Sequence, residues 1–182
     1  MELLVKNIED KEDPRKDNSD KKSLFDSERS PKTANEHKDK WSFIKDKAIR
    51  ENIAYQMQYL EFQIHLYNDY QIYLTIESLI FKNIMAVIGG VVESALSYLV
   101  AEHLKKEGYL VDDRATFLRL IDDAHEFKII DKELKDDFHN LRKMRNLLHL
   151  SSIDYQEHRA YDIEEANHYI ESLNKFINFQ TK

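Results

Sequence analysis

Apolar residues recur three or four positions apart from Trp41 onward, whereas residues 1–40 show no such pattern. This spacing is typical of the buried face of an amphipathic helix. It predicts a first helix from about Trp41 to Asn68–Asp69. A second helix is predicted to end before Gly108, a residue that suits a C-terminal cap.

Three shorter amphipathic stretches follow Gly108, and each is preceded by a residue that can cap a helix. The run from Ser151–Ser152 to Tyr161 is polar and is predicted to be a loop. Short links between helices favour antiparallel neighbours, so the sequence predicts an all-α, up-and-down bundle of about five helices over residues 41–182. The predicted N-terminal caps of the three shorter helices are Asp112 or Asp113, Asp131 and Asp162.

Within the segment 1–40, residues 6–40 alternate Lys, Asp, Glu and Ser without periodicity and contain both prolines of the chain. A segment of this kind buries too little apolar surface to offset the entropy lost on ordering. It is predicted to be a mostly disordered, charged tail. Leu24–Phe25 could form a short helix when a partner binds.

The composition supports a helical fold and excludes several classes of protein. The 182 residues include three glycines, two prolines and no cysteine. Sheet-rich folds need many glycine- and proline-containing turns, and disulfide frameworks and thiolate zinc sites need cysteine. A net charge of -7 also disfavours a protein that coats nucleic acid through bulk charge, although it permits a small local site.

The stretch Ile84–Ala101 is apolar on all sides, and Glu93 is its only charge. Such a helix is buried in a bundle or spans a membrane. Glu93 and Gly89–Gly90 argue against a membrane span. Since the first residues also lack a basic signal-peptide start, we expect a cytoplasmic protein.

Two carboxylate–histidine pairs have the spacing used in di-metal helical bundles: Asp122 with His125, and Glu165 with His168. On a helical wheel both pairs point away from the apolar face of their helix. We therefore predict surface residues, with no metal centre and no cofactor. Glycine-rich nucleotide loops are also missing from the sequence.

The fourth helix carries cations on its core-facing side. On a helical wheel that starts from Leu134, Arg145 falls within the apolar stripe and His149 at its edge, while Arg142 lies at the margin. Burying an arginine costs free energy unless a carboxylate forms an ion pair with it, and Glu93 is the available carboxylate. A Glu93–Arg145 pair is either purely structural or part of a cleft in which Arg binds a phosphate and His moves protons.

The string Leu141–Leu150 resembles the signature of HEPN-domain proteins (higher eukaryotes and prokaryotes nucleotide-binding), in which four to six residues stand between an Arg and a following His. Residues 89–96 are similar to the central helix of that family with its embedded Glu, and residues 161–166 to its last helix. Three residues stand between Arg145 and His149, one fewer than in the family pattern. Six stand between Arg142 and His149, which fits it. Either arginine could be the family arginine.

The resemblance implies a metal-independent endoribonuclease, commonly a homodimer, that acts as a toxin or phage-defence effector and could have an antitoxin protein as a partner. His149 would be the general acid or base, Arg142 and Arg145 would stabilise charge on the phosphate, and Asn146 would position the phosphate or the His. Glu93 completes this predicted site. The alternatives are a non-catalytic HEPN-like module that binds a protein or nucleotide, and an unrelated all-α interaction protein.

Overall fold

The computed structural model describes residues 30–112, 114–146 and 160–181. These residues form a bundle of six α-helices, so the predicted all-α fold class is confirmed, with one helix more than expected. The helices are α1 (Ala34–Lys40), α2 (Lys47–Asp69), α3 (Leu74–Lys106), α4 (Phe117–Glu126), α5 (Lys132–Asn146) and α6 (Ile163–Gln180).

The additional helix, α1, lies inside the segment that the sequence predicts to be a disordered tail. It begins with a capping box: Glu36 accepts a hydrogen bond from the Thr33 N–H at 2.8 Å, and the Thr33 side chain accepts one from the Glu36 N–H at 3.4 Å. His37 is buried against α2. The structured part of the chain therefore begins before residue 40, and residues 1–29 lie outside the described residues.

The first predicted helix begins later than its apolar pattern indicates. Asp46 accepts a hydrogen bond from the Ile49 N–H at 2.9 Å, and α2 begins at Lys47 rather than at Trp41. Trp41 and Ile44 precede α2 and are fully buried. Their burial explains why the apolar pattern extends beyond the helix.

α3 is the central helix, about 50 Å long at 1.5 Å per residue, and it packs against α2, α4, α5 and α6. It is long and apolar enough to cross a membrane, and half of its most apolar 18-residue window is buried. Core helices of soluble proteins meet the same criterion. α3 ends as predicted: Gly108 has φ +79°, and the Tyr109 N–H donates to the Leu104 carbonyl at 2.9 Å, which is a Schellman-type cap.

The caps of the last three helices agree with the sequence in two cases of three. Asp131 accepts from the Leu134 N–H at 2.9 Å, and Asp162 accepts from the Glu165 N–H at 2.8 Å, both as predicted. The cap of α4 is Thr116, and the prediction of Asp112 or Asp113 is wrong.

Asp112 has other contacts, because its carboxylate accepts from the Arg114 N–H and pairs with Arg119. Of the loop predicted from Ser151–Ser152 to Tyr161, residues 151–159 lie outside the described residues.

Candidate functional site

The Glu93–Arg145 pair predicted from the sequence is present. Glu93 lies on α3 and Arg145 lies near the end of α5, and Nη1 of Arg145 donates a hydrogen bond to Oε2 of Glu93. The two helices meet there because their apolar faces pack together, which aligns Glu93, the lone charge of the stretch Ile84–Ala101, with the core-facing arginine of α5. The pair therefore fixes the end of α5 against the middle of α3.

Gly89 lets the arginine approach α3 closely. A Cβ atom built on Gly89 would lie 3.3 Å from Cδ of Arg145 and 3.8 Å from Cγ of Leu141. The guanidinium carbon of Arg145 lies 5.9 Å from the ring centre of Phe117 on α4, within the range of a cation–π contact. Arg145 thus lies between α3 on one side and the start of α4 on another.

The pair is less buried than its position on the wheel suggests. The side chain of Arg145 is 37% exposed and that of Glu93 is 31% exposed. The pair is therefore part-buried, with Arg145 in the last turn of α5. About one third of each side chain is therefore accessible to solvent.

Arg142 belongs to a second row on α5. Lys135 and His139 precede it at the helical spacing of seven and three residues, and both contact Asp122 on α4, at 2.7 Å and 3.3 Å. The side chain of Arg142 is half-buried, and within the described part of the chain its buried Nε has no hydrogen-bond acceptor. Arg142 therefore shares a row of α5 with two side chains that contact α4.

The remaining predicted site residues lie at or beyond the end of the described helix. Asn146 is the last residue of α5, and nothing further is described of its side chain. His149 lies outside the described residues. The structure thus brings Glu93 and Arg145 together, and the relation of His149 to either arginine stays a prediction.

The two carboxylate–histidine pairs have other partners. Asp122 contacts Lys135 and His139, and these contacts lower the pKa of its carboxyl group. His168 contacts Asp137 at 3.1 Å. In the ranges that the structure describes, no group of three or more His, Asp or Glu side chains is arranged to hold a metal ion.

A buried polar cluster, missed by the sequence analysis, joins α1 to α2. His37 and Glu61 are 1% and 3% exposed, and Nε2 of His37 lies 2.9 Å from Oε2 of Glu61. Glu61 also accepts the Lys32 N–H at 2.9 Å, and Nε2 of His65 lies 3.8 Å from its other oxygen. Burial lowers the pKa of His37, although the neighbouring Glu61 carboxylate opposes that shift.

The same criterion that picked out Glu93 also applies to Glu61. It is the only Asp, Glu, Lys or Arg between residues 52 and 68, just as Glu93 is alone in its stretch. A lone charge within an uncharged helical stretch is therefore a signal that would have pointed to Glu61 as well as to Glu93.

Comparisons with protein-family models, with curated proteins and with solved structures found no match.

Proposed function

We propose that this protein is a metal-independent, HEPN-like endoribonuclease of the cytoplasm that acts as a homodimer in a toxin–antitoxin or phage-defence system. The observation that carries the proposal is the anchored arginine: Arg145 donates a hydrogen bond to Glu93 and packs beside Gly89, while its side chain remains 37% exposed. An anchored guanidinium is suited to bind a phosphate because its donors are already oriented.

The chain order supplies the other groups that such a reaction needs. Arg142 lies one turn before Arg145, and His149 follows Asn146 by three residues. In the proposed reaction a base, His149 or its counterpart in the second copy, takes the proton of a ribose 2′-hydroxyl. The 2′-oxygen then attacks phosphorus.

The bond from phosphorus to the 5′-oxygen breaks, and the leaving oxygen takes a proton from an acid. The products are a 2′,3′-cyclic phosphate and a 5′-hydroxyl. The arginines stabilise the charge that develops on the phosphate, and Asn146 positions the phosphate or His149. DNA has no 2′-hydroxyl, so this route selects RNA.

A second copy would raise the local positive charge at the site, although each chain is acidic overall. Two sites that meet across a dimer would collect four arginines locally, which attracts a phosphate backbone despite a net charge of -7 per chain.

A second candidate function is a non-catalytic HEPN-like module that binds a protein or nucleotide. The observation that favours it is that Glu93 already matches the charge of Arg145. A guanidinium with a carboxylate partner gives less net attraction to a phosphate than an unpaired one.

The test is cleavage of single-stranded RNA by the purified chain in the presence of EDTA. We expect products with cyclic-phosphate ends, no cleavage of the matching DNA, and loss of activity in His149→Ala. Arg142→Ala and Arg145→Ala show which arginine contributes more. Arg119→Ala is the matched control, since Arg119 is 58% exposed and pairs with Asp112 and Asp123 rather than with Glu93.

Cleavage that persists in His149→Ala would contradict the assignment of that residue. An inactive wild-type chain that forms a stable complex with a protein or nucleotide would favour the second candidate.

A further inference from the structure

The short helix α1 is held to the rest of the bundle by one buried side chain. Among its seven residues only His37 is buried, and among the described helices α1 packs closely only against α2. Ala34 is the sole apolar residue of α1, so the helix adds almost no apolar surface to the core. A helix this short is not stable alone in water, where about 12–15 residues are needed. The contact of His37 therefore decides whether α1 stays folded on α2.

The hydrogen bonding of His37 suits only the neutral imidazole. Nε2 lies 2.9 Å from Oε2 of Glu61, and a carboxylate can only accept, so Nε2 carries the proton. Nδ1 is buried and, in the part of the chain that the structure describes, has no hydrogen-bond partner. A protonated ring carries a second N–H at Nδ1, and a buried donor without an acceptor is destabilising. Protonation of His37 therefore weakens the docking of α1.

The charges around His37 do not compensate for that loss. On α2, Glu61 already interacts with Lys32, whose N–H donates to Oε2 at 2.9 Å and whose ammonium lies 3.9 Å from Oε1. His65, one turn further along α2, also lies 3.8 Å from Oε1. Burial, together with Lys40 and Lys32, lowers the pKa of His37 and outweighs the opposite effect of Glu61.

The rest of the bundle does not need α1. Among the described residues the apolar core begins at Trp41, which follows α1 directly and is fully buried. Its ring centre lies 5.3 Å from that of Phe43 and 6.3 Å from that of Phe176 on α6. The Lys45 N–H donates to the Tyr98 hydroxyl at 3.0 Å, which fixes the chain ahead of α2. Detachment of α1 would therefore stop at Trp41 and leave α2–α6 assembled.

We propose that α1 is an acid-released strap: when His37 takes up a proton, α1 leaves α2 while the helices α2–α6 stay folded. Release exposes Glu61 and the surface of α2 around it. A second tie between the two helices, Lys38 to Glu51 at 2.7 Å, is partly exposed to solvent and contributes little to the docking. The strap does not depend on ribonuclease activity.

The pH range of release follows from the titration of His37 in the docked and released forms. The released imidazole titrates near its usual 6.5, and the docked one titrates below that value. Docking is therefore strongest above about pH 7 and weakens as the pH falls below about 6.5. One proton changes the docking equilibrium by at most about tenfold per pH unit. Below the pKa of docked His37 the loss levels off.

Hydrogen exchange of the full chain, followed by mass spectrometry between about pH 7.5 and 5.5, tests the proposal. Protection factors, which correct for the pH dependence of exchange itself, are compared for α1 and for the middle of α3. We expect α1 to lose its protection as the pH falls, by up to about tenfold per pH unit. The middle of α3 should remain protected at the lowest pH, because it lies in the core of the bundle.

His37→Gln keeps a side-chain N–H for Glu61 and removes the titration. In this variant the protection of α1 should not change with pH. His65→Gln is the matched control, because it removes a second imidazole that contacts the same carboxylate, and it should keep the pH dependence of the wild type. If His37→Gln does not dock α1 at any pH, NMR titration of the His37 ring in the wild-type chain decides, since release by acid requires a pKa below 6.5.

The strap is overturned if α1 is unprotected at pH 7.5, if its protection stays constant down to about pH 5.5, or if α1 and α3 lose protection together. It is also overturned if His37→Gln keeps the wild-type pH dependence or if His65→Gln removes it. A pKa of His37 at or above 6.5 in the folded chain has the same meaning.

Discussion

Arg145 of α5 donates a hydrogen bond to Glu93 of α3, 52 residues earlier in the chain, and both side chains remain about one third exposed. The contact joins the two helices that carry the candidate site. Its partial exposure determines how much it stabilises the fold.

Glu93→Gln keeps the shape of the side chain and removes its charge. Because solvent screens the pair, we expect a loss of about 1 kcal/mol in the free energy of unfolding, below the roughly 3–5 kcal/mol typical of a broken buried pair. Urea unfolding measures it, and the difference from wild type should shrink at high salt.

Glu102→Gln is the control for this prediction. Glu102 pairs with Lys105 on the same helix, and both side chains are more exposed than the Glu93 pair. We expect a change below about 0.5 kcal/mol. If Glu93→Gln lowers the free energy of unfolding by more than about 3 kcal/mol, the pair is buried in solution. If the loss does not depend on salt concentration, the two charges do not interact.

The two adjacent glycines of α3 should respond differently to alanine. Gly90→Ala places its Cβ where no atom lies within 4 Å, so helix propensity should raise the stability by about 0.5–1 kcal/mol. Gly89→Ala gains the same propensity but comes within 3.3 Å of the Arg145 side chain, which must shift. We expect a smaller gain, or a loss.

Thermal unfolding at several protein concentrations measures this difference and separates it from self-association. Combining Gly89→Ala with Arg145→Ala removes the crowding atoms and should bring back the propensity gain. If Gly89→Ala alone stabilises as much as Gly90→Ala, the close approach of Arg145 is not maintained in solution.

The buried His37 predicts acid sensitivity. Burial lowers its pKa in the folded chain from the usual 6.5, with Glu61, Lys32 and Lys40 also acting on it. Below about pH 6.5 the unfolded chain therefore binds a proton that the folded chain does not. Stability is full above that pH and falls as the pH drops towards the folded pKa, by at most about 1.4 kcal/mol per pH unit.

Urea unfolding between pH 7.5 and about 5 measures this dependence. His37→Gln should flatten part of the acid slope, at a cost in stability at neutral pH. His168→Gln removes an exposed imidazole, 54% accessible, and should leave the contribution of His37 in place. An unchanged slope in His37→Gln would show that this histidine does not titrate with unfolding.

Thr116→Ala should cost about 1 kcal/mol, because the Thr116 side chain accepts the Arg119 N–H at the start of α4. Asp112→Ala removes only exposed contacts and should change the stability by less than about 0.5 kcal/mol. Thermal unfolding of both variants compares them. A larger loss of stability in Asp112→Ala than in Thr116→Ala would show that Asp112, as predicted from the sequence, caps α4.

Much of the fold follows from local rules of the sequence. The apolar faces of α2, α4, α5 and α6 lie where the helical spacing predicts, and the stop at Gly108 follows from its left-handed φ. The Glu93–Arg145 pair was also predictable, because a lone charge on each of two packed apolar faces has few possible partners.

α1 could not be predicted in the same way. The residue that buries it is His37, and its partner Glu61 is 24 positions later, so neither the apolar spacing nor the polar composition of this segment indicates a packed helix. The exposed fraction of the Arg145 side chain could not be predicted from the sequence either, because it depends on how closely α5 approaches Gly89. A helical wheel gives the direction of a side chain around its helix, but it does not give the distance between two helices.

The uniform hydrophobicity of α3 has a consequence for biosynthesis. Its four neighbours are made on both sides of it in the chain, and α6, which covers one of its faces, is completed only at residue 180. A newly made α3 with only α2 beside it therefore leaves most of its apolar surface in water. Chaperones should bind a nascent chain that stops before α6, and truncation within α6 should lead to aggregation rather than to a smaller soluble bundle.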